Sequence, residues 1–130
     1  MGAISDLRAS LADALTGAGM RVEPVLPVAF TPPLALILGA DPWLTVAGAP
    51  RQGMVRFDVV VVAGAGTNPE AARRLDDYVE AALLALLSTD HPWQALQVSA
   101  PYDLLVPQSG QERTYLAARL TCERPIIIST

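Results

Sequence analysis

The stretch AGAPRQG (47–53) is the tightest constraint on how this chain can fold. It is polar, rich in turn formers, and flanked on both sides by apolar segments. Upstream, Leu34-Ala35-Leu36-Ile37-Leu38 is an unbroken apolar run suited to a buried strand, and DPWLTV (41–46) continues as a strand after a turn at residues 39–42. Downstream, Val55, Phe57, Val59 and Val61 alternate with Arg56 and Asp58, and Val60 and Val62 make the strand's far end apolar on both faces. Strands joined directly by a short polar loop form a hairpin, so the sheet should be mainly antiparallel.

Two helices flank this hairpin. Ile4, Leu7, Leu11, Ala14, Leu15 and Ala18 recur at helical spacing, which predicts a helix over 5–17 with Ser5 as its cap and Gly17 and Gly19 as its stop. Arg8 and Asp13 should face water. Prolines 24, 27, 32 and 33 then exclude a helix, and exclude a central strand before Leu34. The second helix should span 69–87, burying Leu75, Tyr78, Val79, Ala82, Leu83 and Leu86. Glu70–Arg74 and Arg73–Asp77 fall at i,i+4 on its wet side. STDHPW (88–93) breaks it. Strands over 95–104 and 114–124 follow, joined by a polar loop, PQSGQER (107–113). In the last strand Leu116, Ala118, Leu120 and Cys122 alternate with Tyr115, Arg119, Thr121 and Glu123. The expected architecture is a single α+β domain over 1–130. It is a two-layer sandwich, with a mainly antiparallel sheet of four to five strands and two helices packed on one face.

The strand-to-helix passage DVVVVAGAGTNPEAARRL (58–75) looks at first like a phosphate-binding turn. A dinucleotide fingerprint needs a third glycine three positions after Gly66, where Pro69 stands, and a Walker loop needs a lysine, of which the chain has none. Thr67 or Asn68 as cap, Glu70 completing a capping box and Pro69 in the first turn explain the same residues as a joint. His91 is the one histidine and Cys122 the one cysteine, too few ligands for a zinc site and too scattered for a Cys/His pair. Cys122 reads as a packing residue, and its solitude excludes an intrachain disulfide. Asp76 and Asp77 are consecutive on a helix and point apart. Trp43 and Trp93, each following a proline, read as core or interface anchors. No catalytic, cofactor or metal site is expected, and the chain does not read as an enzyme.

Composition matters at this point. Hydrophobic residues make up 52%, the mean hydropathy is +0.35, and only nine basic and thirteen acidic side chains are present. A chain of this size has much surface to cover, so some apolar surface should be buried against other chains. RPIIIST (124–130) carries three isoleucines, Ile126, Ile127 and Ile128, that look exposed. A net charge of −4 without a basic run gives no reason to expect a strong, sequence-independent grip on duplex DNA. No apolar run approaches the ~20 residues of a membrane span, and no signal-peptide pattern opens the chain, which predicts a cytoplasmic, soluble protein without membrane contact.

The layout resembles the tail terminator (tail completion) proteins of long-tailed bacteriophages and prophages. The matching stretches are TPPLALIL (31–38) leading into DPWLTV (41–46), VRFDVVVVAG (55–64) running into TNPEAARRLDDYVEAALLAL (67–86), and YLAARLTCERPI (115–126). The resemblance implies a homo-oligomeric ring, usually a hexamer, that caps the finished tail tube, ends its polymerisation and presents a docking face to the head connector. Its partners would be further copies of itself, the tail tube protein and the head–tail connector protein. DNA would pass through the lumen without sequence-specific binding, and the protein would reside in the virion after assembly in the host cytoplasm. Contacts would fall to loops 47–53 and 107–113 and to the chain end, with Arg51, Gln52, Gln108, Arg113, Ile126, Ile127 and Ile128 as interface candidates. A head–tail connector (neck) protein and a small-molecule-binding α+β domain using the 64–68 turn are the alternatives.

Overall fold

The computed structural model describes residues 3–23, 34–47, 52–65, 69–88, 93–108 and 110–127. In chain order these form α1 (Ala3–Gly17), β1 (Arg21–Glu23), β2 (Leu34–Ala47), β3 (Gln52–Ala65), α2 (Pro69–Leu87), β4 (Gln94–Val98), β5 (Tyr102–Gln108) and β6 (Gln111–Ile127). The chain is an α+β sandwich, with a six-stranded sheet among the described residues rather than four or five strands. Both helices cover one face. The main core joins Leu7, Leu11 and Leu15 of α1 and Leu75, Ala82 and Leu86 of α2 to Ile37, Phe57, Val59, Val61, Leu120 and Cys122 of the sheet. A second, smaller cluster lies on the opposite face, where Leu34, Leu36, Val60, Val62 and Ala117 meet Tyr115 and Val106. That cluster is why β3 turns apolar on both sides at Val60 and Val62.

The hairpin that the sequence demands is the spine of the sheet. β2 and β3 run antiparallel from Leu34↔Val62 to Ala47↔Gln52. The turn expected at residues 39–42 is instead an irregularity inside one long strand. The ladder lapses between Gly39 and Leu44, across the cis Asp41-Pro42 bond, and then resumes because β3 continues alongside. β1 was not expected. It pairs parallel to β2 over Arg21↔Leu34 to Glu23↔Leu36 and stops just short of Pro24, as an edge strand losing its donor must.

β6 organises the other half. One flank pairs with β3 from Ala65↔Tyr115 to Gln52↔Ile127, and the other takes β5 over 111–117 and then β4 over 120–123. The single strand expected over 95–104 is therefore two strands laid end to end. Ser99 makes the break: its N–H donates to the Arg119 carbonyl at 2.8 Å, and its Oγ accepts from the Arg119 N–H at 3.0 Å. The loop expected over 107–113 is also largely strand, with Val106↔Arg113 and Gln108↔Gln111 in register and Gly110 at φ 78 in the tight turn. Because β3 and β4 are both antiparallel to β6, they run parallel to one another with β6 between them, and α2 makes the crossover.

Helix ends follow their chemistry. At the end of α1 the Met20 N–H bonds the Leu15 carbonyl (3.2 Å) and the Gly19 N–H bonds the Thr16 carbonyl (3.0 Å), with Gly19 at φ 90. This is a Schellman closure, and buried Met20 supplies the apolar contact that accompanies it. α1 begins at Ala3, so Ser5 lies inside the helix and does not cap it. Arg8 is half-buried rather than turned to water: its guanidinium lies 5.0 Å over the Phe57 ring and Nη1 donates to the Ile37 carbonyl at 3.2 Å. α2 spans the expected residues, with Ala71, Leu75, Ala82 and Leu86 buried and Tyr78, Val79 and Leu83 partly so. Glu70 and Arg74 pair, whereas Arg73 and Asp77 form no ion pair. The proposed caps Thr67 and Asn68 lie outside the described residues.

Candidate functional site

Beyond the β2 irregularity, residues 44–47, 52–55 and 124–127 continue as a three-stranded arm in the rows Thr45↔Met54↔Pro125, Val46↔Gly53↔Ile126 and Ala47↔Gln52↔Ile127. The pleat sends alternate rows to opposite faces. Ile126 turns inward and joins the main core at 8% exposure, while Ile127, one residue on, is 70% exposed. Ile126 is thus not the exposed residue expected from RPIIIST. Val46, in the Ile126 row, remains 62% exposed. Between the strands' ends is an open groove of about 500 Å³, lined by Thr45, Gln52, Gly53, Met54, Pro125, Ile126 and Ile127. At the root of the arm Trp43, 41% exposed, lies on Gly39. A Cβ at Gly39 would stand 2.9 Å from the Trp43 Cγ, so only glycine allows this seat.

The predicted interface residues separate into two places. Gln52 and Ile127 are cross-strand partners on the arm, both exposed. Gln108 and Arg113 are at the β5–β6 turn, with Arg113 exposed in strand β6 rather than in a loop. Fourteen residues of β6 separate Arg113 from Ile127, or roughly 45 Å at strand rise. Arg51 and Ile128 lie outside the described residues. Trp43, Val46, Met54 and Pro125 were not among the chosen residues. Val46 could have been found, since an apolar residue immediately before a hairpin tip has little left to pack on.

The remaining chemistry is quiet. Cys122 is fully buried, and its thiol pKa is pushed up to about 12, first by burial and then by the nearby Asp58 carboxylate, both of which favour the neutral thiol. His91 lies outside the described residues. Among the described residues no group of three or more His, Cys, Asp and Glu could hold a metal ion, and no helix is long and apolar enough to cross a membrane. Gly64 is not a loop residue but a strand position opposite Leu116, and Gly66 lies outside the described residues. β3 and β4 are parallel but not adjacent, unlike the strands of a dinucleotide-binding unit.

The open face of the sheet carries a polar patch beside its apolar cluster. Thr121 Oγ1 donates to Asp58 Oδ1 at 2.9 Å, and Arg56 Nε stands 3.3 Å from Glu123 Oε2 without a hydrogen bond on its N–H. Burial raises the Tyr102 hydroxyl pKa, with Arg119 opposing and Asp58 reinforcing the shift. These contacts tie β3 to β6. No protein-family model matches the chain, and no curated protein matches it.

Proposed function

We propose that this chain is a structural subunit of a homo-oligomeric ring, one that caps the tail tube of a long-tailed phage, ends its polymerisation and offers a docking face to the head connector. The observation that carries this reading is the distal arm. Val46 and Ile127, at 62% and 70% exposure, are the most exposed large apolar residues of the described sheet, one on each face of the arm, and Ile127 borders an apolar groove. Water disfavours such a surface by about 25 cal/mol per Å², and covering it with another chain removes that cost. A closed ring is built from heterologous contacts, in which two different patches of one subunit meet. The arm and the β5–β6 turn, at opposite ends of β6, supply two such patches. The layout of helix, hairpin, central helix and closing strands supports the phage assignment. A net charge of −4 suits a lumen along which DNA slides without sticking.

Light scattering and negative-stain electron microscopy of the purified protein test the reading. It predicts a discrete ring-shaped oligomer whose mass falls to that of smaller species when Val46 or Ile127 is replaced by Asp. A clean monomer at tens of micromolar, with no ring on the grid, refutes it.

A further inference from the structure

The outer flank of β2 is the longest unpaired strand edge among the described residues. β1 covers it only from Leu34 to Leu36, and no described strand runs beside residues 37–47. Such an edge offers free N–H and C=O groups to any extended segment that meets it. One interruption is the lapse between Gly39 and Leu44, since a bulge bends an edge away from the flat geometry an added strand needs. Residues 37–39 keep unbroken register with Val59, Asp58 and Phe57, so this part of the edge precedes the lapse.

Arg8 sits over this stretch. Its Nη1 donates to the Ile37 carbonyl at 3.2 Å, on the residue directly after the last β1–β2 pair, Glu23↔Leu36. The guanidinium is held there by the Phe57 ring, 5.0 Å below it, and Phe57 is itself fully buried in ladder with Gly39. A planar, weakly hydrated cation stacked on a ring keeps its donors pointed at one acceptor with little loss of freedom. Packing alone does not require an arginine on the inner side of α1, where Leu7, Leu11 and Leu15 already fill the core.

We propose that Arg8 is a strap that closes the outer edge of β2 to strand addition by a second copy of this chain. It takes up the first acceptor that a lengthened ladder would use, and the bulge that follows disposes of the next. The proposal does not rest on the ring reading, because it concerns a contact that the fold suppresses. Arg8→Met keeps the apolar stem along Phe57 and removes every donor; Arg8→Gln is polar but too short to span to Ile37. Both variants should form species larger than those of the wild type, at protein concentrations about tenfold lower, measured by light scattering across a dilution series. An infrared band for intermolecular β-structure should accompany them. Adding Leu38→Lys, which places a charge on the same edge, should restore the wild-type profile. Folded Met or Gln variants that keep the wild-type mass profile and only melt earlier overturn the proposal. So does association that Leu38→Lys fails to suppress.

Discussion

Ile126 and Ile127 are neighbours of identical chemistry on opposite sides of one pleat, and truncating each to alanine should produce opposite phenotypes. Ile126 is packed in the main core at 8% exposure. Truncating a buried isoleucine costs about 2–5 kcal/mol, and a site near the end of the sheet, able to relax, belongs in the lower half, about 2.5 kcal/mol. With an unfolding entropy of about 2.1 cal/mol/K per residue, a 130-residue chain loses about 0.27 kcal/mol for each degree, so Ile126→Ala should lower the Tm by roughly 9 °C. Ile127 is 70% exposed, so Ile127→Ala should change stability by less than about 0.5 kcal/mol. Its effect should fall on assembly instead. The three carbons removed are worth about 2.4 kcal/mol when fully buried, and the fraction still open to water is worth about 1.7 kcal/mol per covered copy. That is roughly a fifteen-fold weaker contact. Differential scanning calorimetry on dilute protein reads the first effect and a light-scattering dilution series the second. If Ile127→Ala costs as much in Tm as Ile126→Ala, the register of the arm is wrong. If Ile127→Ala leaves association untouched, the arm is not an interface.

Three further outcomes follow from the packing. Gly39→Ala puts a methyl 2.9 Å from the Trp43 Cγ and should cost about 1–3 kcal/mol in urea denaturation, most of it regained in the Gly39→Ala, Trp43→Ala pair. Gly19→Ala forces a side chain into φ 90 at the Schellman closure of α1 and should cost about 1 kcal/mol or more, read as a lower urea midpoint with unchanged slope. Cys122 gives a pH signature. Its folded pKa, about 12, exceeds the ordinary 9.0, so the contribution is intact below pH 9 and is lost as pH rises through that window, by up to about 1.4 kcal/mol per pH unit. Cys122→Ala should flatten this decline relative to wild type between pH 9 and 10.5, and an unchanged slope would show that the thiol is not the group responsible.

Helix α2 and the core half of β3 were legible because a single rule governs each residue there. Leu75, Ala82 and Leu86 follow the helical period, and Val55, Phe57, Val59 and Val61 the strand period, onto the same core. The misses share a different cause: a long-range partner decides the local structure. β1 is three residues long and exists because β2 passes beside it. The split of β4 from β5 comes from two Ser99 hydrogen bonds to Arg119, twenty residues on. Arg8 reads as a wet-side cation until Phe57 and the Ile37 carbonyl are brought under it. At the arm, the RPIIIST tail marked the neighbourhood of the exposed Ile127. Which of two adjacent isoleucines faces out depended on a register that only β3 fixes.

Among the described residues β4 and β5 pair with β6 alone, and β3 relies on it for one whole flank. The pairing is also remote in sequence: Asp58 meets Thr121, and Gln52 meets Ile127. Loop-closure entropy must be met before those contacts reward it, so this half of the sheet cannot form piecemeal. Folding should therefore be slow for a chain of this length and all-or-none, with the docking of one strand as its decisive event. A lesion at 115–117 of β6 is felt by β3 and β5 together, and one at 120–123 by β3 and β4, so the middle of β6 is where a single change reaches two neighbours at once.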